Sequence, residues 1–299
     1  SISKEMKIVH VAPFYHPVVG GVEEVVKRIA EYMAGRYHEI YVVTYNRLRV
    51  GGVGSLPREE VINGVKVIRL KPRITWSHGS YSPELPDVIK SLKPDIVHVH
   101  VWRHPHVIQI ARLKRSMGFK TVLHGHAPFH KLSQLGIATW IYHRFMDLFG
   151  RDILRGYDLY IALTKYESMI ISKLGFDESR IIIVPNGIDE DKCYIDINSK
   201  KENQILYLGR ISRSKNLALL IKAMKYVIRR VKNVKLILAG TDEGLVKSLL
   251  EYAKRHGIDT KYLGEVSEET KHKLYLESIV YTLPSHYEPF GITLLEAGI

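Results

Sequence analysis

The chain of 299 residues holds a single cysteine, Cys193. One thiol can form neither an internal disulfide nor a structural zinc site, so a cytoplasmic setting is expected. Long apolar runs are equally scarce. Stretches such as Ile181–Val184 and Leu236–Ala239 fall far short of the ~20 residues that cross a bilayer. The opening segment, Ser1–Lys7, has no apolar core and does not read as a secretory signal. Only three glutamines stand among many Ile, Lys, Arg and Tyr residues, which points to a thermophile. Acidic residues are outnumbered, 31 against 44, for a net charge of +13. Residues 1–190 carry 26 basic and 18 acidic side chains and the remainder 18 and 13, so the excess is spread and forms no tail. A spread excess suits a polyanion, an acidic membrane face or a phosphorylated small molecule. No helix-turn-helix, zinc-finger or RNA-binding signature is present, so no nucleic-acid partner is expected.

What is present is the balance of a globular protein, 45% apolar and 25% charged, at a length that suggests two domains. Strand-like apolar runs alternate with helix-period segments from end to end. Lys7–Pro13 reads as a strand, followed by Val18–Gly21 and a helix over about Val22–Tyr37, whose Val22, Val25, Val26, Ile29 and Met33 share one face. Strands follow at Glu39–Thr44 and, after the turn Asn63-Gly64, at Val65–Leu70, with a loop over Arg49–Pro57 between them. A helix from Pro86, a strand at Asp95–His100, a helix near Pro105–Met117 and a strand at Thr121–His124 continue the rhythm. One long helix is expected near Leu135–Arg155, then strands at Leu159–Leu163 and Ile181–Val184 with a short helix between. After a polar stretch, Asp189–Gln204, the pattern restarts with strands at Ile205–Leu208, Val234–Leu238, Lys261–Leu263 and Ile279–Leu283.

Such alternation predicts an α/β chain of two tandem Rossmann-like domains, residues 1–190 and 191–299, with a cleft between them. Ligands in these folds sit beyond the carboxyl ends of the strands, here the loops after Ala12, His100, Leu123, Leu163, Leu208, Ala239, Leu263 and Leu283. The chain stops at Ile299 inside a helix expected from about Phe290, so the second domain is expected to be truncated and the chain a fragment.

Two segments carry chemistry. In Ser285–Ile299 (SHYEPFGITLLEAGI), seven residues separate Glu288 from Glu296. A loop presents Glu288, and a helix opens around Gly291–Thr293 with unpaired N–H groups suited to phosphate. The two acids can accept hydrogen bonds from sugar hydroxyls, although taken alone they also read as a loop acid and a solvated helix residue. The second segment is Gly209-Arg210-Ile211-Ser212-Arg213-Ser214-Lys215-Asn216, between a strand and the helix Leu217–Arg229. Arg210 can fork two phosphate oxygens and Lys215 can add a point charge, as a diphosphate requires. A basic, solvated turn is the plainer reading.

Together these segments resemble the retaining nucleotide-sugar glycosyltransferases of family four, which have the GT-B fold. Gly20-Gly21-Val22-Glu23, Pro94–His100, Thr121–Gly125 (TVLHG) and Val184–Asp189 (VPNGID) resemble family segments in the same order. The combination of Gly-Arg-x4-Lys-Asn with Glu-x7-Glu is highly specific. The resemblance implies that Arg210 and Lys215 bind the donor diphosphate, Glu296 the ribose, and Glu288 with the Phe290-Gly291 backbone the transferred sugar. It also implies that Val266 lies beside the base through its backbone and that Thr293 and Leu294 offer N–H groups to phosphate and ribose. His124 would stand near the sugar at the cleft floor, and the Gly20 and Gly21 backbone would approach the donor. Arg210, Lys215, Glu288 and His124 are thus the expected catalytic set.

The expected donor is a UDP- or GDP-linked sugar, with no tightly bound cofactor. The acceptor is left open between a lipid-linked molecule at the inner membrane face, a glycan and a small molecule. The resemblance implies that family members continue with further strands and a helix returning to the first domain, which are expected to be missing from this sequence as a fragment. The other readings are a non-catalytic nucleotide-sugar or polyanion binder, and an epimerase or phosphorylase on the same architecture.

Seven histidines, His98, His100, His104, His106, His124, His126 and His130, crowd one region. His98 and His100 could offer two nitrogens on one strand face, but only Asp95 lies close as a further ligand, so no metal is expected. Cys193 has no acid–base partner nearby in sequence. Trp140, Ile141, Phe145, Met146, Leu148 and Phe149, with Arg144, Arg151 and Arg155, are expected to be core. The other reading is a basic amphipathic surface that touches a lipid-linked acceptor.

Overall fold

The computed structural model describes residues 5–36, 38–49, 52–76, 79–129, 137–188 and 201–298. The chain divides into two compact units, Ser1–Asn186 and Gly187–Ile299. The polar stretch expected to link them lies largely in 189–200, outside the described residues, as do Cys193 and His130.

In the first unit the order is β1 (Lys7–Val11), α1 (Gly21–Ala34), β2 (Glu39–Tyr45), β3 (Glu59–Ile62), β4 (Val65–Leu70), β5 (Ile74–Trp76), β6 (Gly79–Tyr81) and α2 (Leu85–Leu92). It continues with β7 (Ile96–His100), α3 (Pro105–Met117), β8 (Lys120–His124), α4 (Ile137–Phe149), α5 (Arg151–Arg155), β9 (Leu159–Ala162), α6 (Lys165–Lys173) and β10 (Ile181–Ile183). The sheet runs β10-β9-β8-β7-β1-β2-β4-β3, parallel except at β3. The Asn63-Gly64 turn does more than precede a strand: both residues are left-handed (φ 49 and 82) and close a hairpin of β3 on β4. Neither β3 nor the β5–β6 hairpin was legible in the sequence, since both are short edge pieces without a sustained apolar run.

The expected single helix over Leu135–Arg155 is instead two. A Cβ at Gly150 would collide with the Met146 carbonyl and crowd the buried Trp102 ring, and the chain breaks there into α4 and α5. The core expectation for α4 is also corrected. Met146 is buried, but Ile141, Phe145, Leu148 and Phe149 are all more than half exposed, at 56%, 55%, 58% and 66%.

The first sheet packs Val9, Val11, Val97, Val99 and Leu123 against Ile89, Val107, Ile110, Leu154 and Ile171 on one face. On the other, Ile8, Ile40 and Val42 meet Ala30 of α1 together with Val26, Val22 and Met33 of the apolar stripe read from the sequence.

The second unit comprises β11 (Glu202–Leu208), α7 (Leu217–Val227), β12 (Lys235–Ala239), α8 (Val246–Arg255), β13 (Thr260–Tyr262), α9 (Glu268–Glu277), β14 (Ser278–Tyr281) and α10 (Ile292–Gly298). Its parallel sheet runs β13-β12-β11-β14. Tyr207, Leu236 and Leu238 pack on α7 and α8, while Leu206, Ile237 and Ala239 pack on Leu274 of α9. Central β11 therefore delivers the loop after Leu208 to the middle of the carboxyl edge, where a doubly wound sheet binds ligands.

Candidate active site

That loop is held open by backbone. Gly209 donates its N–H to Ala239 O (2.9 Å), and Gly240 donates to Gly264 O (2.7 Å). Both glycines have left-handed φ (150 and 130), and a Cβ at Gly240 would fall on the Gly209 carbonyl. The three strand ends are thus packed backbone to backbone. Tyr207, buried at the end of β11, donates its hydroxyl to Arg210 O (2.6 Å) and fixes the start of the cationic segment. Burial pushes the Tyr207 hydroxyl well above its ordinary value, so it remains a donor.

Lys215 closes a short 3-10 turn over Arg213–Lys215, followed by left-handed Asn216 (φ 55) and then α7. Its ammonium lies 2.6 Å from Glu288 Oε2, with side chains 17% and 26% exposed. Ser285 Oγ donates to the same carboxylate oxygen (3.0 Å), and His286 N–H donates to Ser214 O (3.1 Å). The turn before α7 and the loop after β14 are therefore stitched together by backbone and side chain. The two side chains meet although they stand 73 residues apart in sequence.

The other two expected partners are engaged separately. Arg210 Nη1 lies 2.7 Å from Glu243 Oε1, in the loop after β12. Glu296 on α10 accepts from Lys271 Nζ (3.1 Å) and from Tyr275 OH (3.0 Å), both on α9. Lys271 also reaches Glu268 (2.8 Å). Although burial lowers its pKa, the two carboxylates more than offset this and leave it above the ordinary lysine value. Of the four side chains expected around the nucleotide-sugar donor, Lys215 and Glu288 touch, while Arg210 and Glu296 each hold a neighbour that sequence reasoning missed.

Tyr281 joins the pieces. Its hydroxyl lies 2.6 Å from Thr293 Oγ1 and 3.2 Å from Leu208 O, linking β14, α10 and β11. The Leu294 N–H, expected to be available to a ligand, is taken by Gly291 O at 2.9 Å within the tight first turn of α10. Gly291 is left-handed (φ 79), and a Cβ there would press on Leu294 (3.1 Å), Glu288 (3.4 Å) and Leu283 (3.5 Å), so Phe290-Gly291 must turn sharply beside Glu288. Val266 packs its side chain into the α9 core, which leaves its backbone as the part able to face a ligand. Asp242, also missed, accepts from the N–H groups of Gly244, Leu245 and Val246 (2.8, 2.8 and 3.1 Å) and so starts α8. Its signal was an acid just ahead of a helical run.

In the first unit, Gly20 and Gly21 differ. The space a Gly20 side chain would take is filled by Glu23, which is 3% exposed and 2.5 Å from Arg49, whereas a Cβ at Gly21 would meet nothing within 4 Å. His124 is buried at the end of β8, and neither ring nitrogen has a partner among the described residues. It belongs to a buried group with His10, His98, His100 and His126. Burial holds His10, His100 and His124 well below the ordinary histidine value, with neighbouring rings adding to the effect. It brings His98 to about 4 and His126 to about 3. These rings are neutral at pH 7.

Two family descriptions match the chain in tandem: Glycosyltransferase Family 4 over residues 19–192 and Glycosyl transferases group 1 over residues 195–298. An uncharacterized glycosyltransferase of Methanocaldococcus jannaschii is 29% identical, over 98% of this chain and 78% of that protein. A GDP-mannose:cellobiosyl-diphosphopolyprenol alpha-mannosyltransferase of Xanthomonas oryzae pv. oryzae is 26% identical, over 98% and 76%. Among solved structures, Anabaena HepE in complex with UDP and glucose superposes with a TM-score of 0.73 over 98% of this chain and 78% of that one, at 18% identity. With its two α/β units, each built on a parallel sheet, the chain has the GT-B fold and belongs to glycosyltransferase family 4: it is a glycosyltransferase.

Proposed function

We propose that this enzyme moves a hexose from a nucleoside diphosphate sugar to an acceptor hydroxyl with retention of anomeric configuration. The observation that carries the reading is the Lys215–Glu288 contact on stitched loops at the carboxyl edge of the second sheet. Lys215 there is preorganised to exchange a carboxylate for a phosphate oxygen. Arg210, on the same loop, forks a second oxygen, and the two cations stabilise the departing diphosphate. Glu288, released from Lys215, accepts from the transferred sugar, and Glu296, aimed by Lys271 and Tyr275, accepts from the ribose. Val266 offers backbone to the base, and Thr293 and the Phe290-Gly291 turn approach phosphate and sugar. In the front-side attack ascribed to this family, the leaving phosphate takes the acceptor's proton, so no side chain need act as base.

We assign the acceptor to the lipid-linked class, reached at a membrane face. Three observations support this: the exposed Ile137, Ile141, Phe145, Leu148 and Phe149 of α4, the net charge of +13, and the diphosphopolyprenol acceptor named for the Xanthomonas relative. Among the described residues no helix is long and apolar enough to cross a membrane, so the surface would lie on the bilayer and not span it.

A thermal-shift panel of UDP-, GDP- and ADP-sugars tests the donor class, because stabilisation grows with the logarithm of concentration over Kd. Stabilisation by one nucleotide series, followed by its turnover to nucleoside diphosphate and an α-linked product from an α-linked donor, is the expected result. A shift without turnover in the presence of polyprenyl diphosphate sugars would leave a binder and overturn the proposal.

A further inference from the structure

The sheet of the first unit has one aliphatic face and one that turns polar near its carboxyl edge. Val9, Val11, Val97, Val99 and Leu123 occupy the former. On the same strands His10 stands in register with His98, and His100 with His124. His98 and His100 are two residues apart and so share a face, which places four imidazoles side by side on β1, β7 and β8. His126 joins them from the loop after β8, its ring stacked 3.9 Å from His124. All five are buried.

A hydrogen-bonded relay accounts for part of this group. His10 Nδ1 lies 3.0 Å from His100 Nε2, and His100 Nδ1 lies 3.0 Å from His126 Nε2. His10 Nε2, His98 Nε2 and both nitrogens of His124 have no partner among the described residues. Each buried, unsatisfied polar atom costs about 1–3 kcal/mol, and within the His10, His98 and His100 group a ligand on His98 Nε2 would relieve one of them. One nitrogen each of His10, His98 and His100 lies within 4.8 Å of those of the other two. Tetrahedral ligands at ~2.0–2.1 Å from zinc are about 3.3 Å apart. His10 Nδ1 and His100 Nε2 are 3.0 Å apart, so ion binding would release the proton they share, and the spacings to His98 lie within 4.8 Å.

We propose that His10, His98 and His100 bind one divalent transition-metal ion of the imidazole-preferring class, of which Zn2+ is the representative. Three neutral imidazole nitrogens suit zinc, nickel, copper or cobalt and disfavour magnesium or calcium. His100, ligating through Nε2, keeps Nδ1–H for His126 Nε2, the outer contact that orients a ligand ring. Deep placement at the strand ends, with ligands from two adjacent strands, makes the site a cross-link of β1 to β7. The inference is independent of the transfer reaction and of its donor.

The test uses the full chain, without a histidine tag, stripped with chelator and titrated with ZnCl2 by calorimetry and with CoCl2 by visible absorption. One Zn2+ per chain, with the intense bands of tetrahedral Co2+, is expected. His98→Gln should weaken Zn2+ binding by more than about 100-fold, whereas His126→Gln, an outer contact, should cost about 10–100-fold. The wild-type cobalt spectrum needs no variant to fold. If wild-type protein leaves Co2+ with the pale spectrum of the hydrated ion, or if His98→Gln binds Zn2+ as wild type does, the proposal is overturned.

Discussion

Replacing Glu288 with Gln should strengthen nucleotide binding and abolish turnover at once. Lys215 is paired with Glu288 at 2.6 Å, in side chains 17% and 26% exposed. A diphosphate must displace that carboxylate before it can use the ammonium. A hydrogen bond to a charged group is worth about 1.5–3 kcal/mol net. Glutamine preserves the shape and can still accept from Ser285 Oγ, but it removes the charge that competes with phosphate. Since each ~1.4 kcal/mol is tenfold, nucleoside diphosphate should bind about 10–100-fold more tightly. Transfer should fall by at least ~100-fold, because an amide cannot supply the charged acceptor that the moving sugar needs. Calorimetry with UDP and GDP, beside a donor-turnover assay on the same preparation, reads both numbers. Unchanged or weaker nucleotide binding would refute the idea that Lys215 exchanges Glu288 for phosphate.

Other perturbations follow from the same geometry. Lys271→Met leaves Glu296 with Tyr275 alone and should lower stability by about 1–3 kcal/mol in urea titration, with a parallel loss of nucleotide affinity. Gly240→Ala should cost about 3 kcal/mol or more through left-handed strain and overlap with the Gly209 carbonyl, while Gly244→Ala, also left-handed but with open space, should cost about 1 kcal/mol. Metal-free protein should lose stability as pH falls from about 6.5 toward 4. His98 and His106 are brought to about 4 and His126 to about 3, so the unfolded chain takes up protons that the folded one refuses. A urea midpoint flat between pH 6.5 and ~5 would contradict that assignment. Phe145→Ser with Phe149→Ser should leave stability within about 0.5 kcal/mol, as both are exposed, yet reduce sedimentation with anionic vesicles several-fold.

Long apolar strands and amphipathic helices were readable because their period is imposed by burial. The Val22, Val26 and Met33 stripe of α1 and the Ile205–Leu208 core of β11 lie where hydropathy put them. Lys215 and Glu288 were singled out for another reason: Gly-Arg-x4-Lys-Asn and Glu-x7-Glu are short local motifs that resemble family segments. What escaped was long-range pairing. Nothing near Lys271 in sequence announces Glu296, and Glu243 is tied to Arg210 only because β11 and β12 are neighbours. The exposure of Phe145 and Phe149 was hidden as well, since an apolar stripe looks the same whether it faces a core or a membrane. The histidines on β1, β7 and β8 come together through parallel register, and His10 was overlooked for want of a neighbouring histidine in its own strand.

Lys215→Ala, assayed for donor turnover in the stabilising nucleotide-sugar series, addresses the central claim most directly. The expected result is a fall in kcat/KM of at least ~100-fold in protein that still folds, with a loss of stability of only about 1–3 kcal/mol from the broken ion pair. Turnover at the wild-type rate would contradict the diphosphate site on which the proposed function rests.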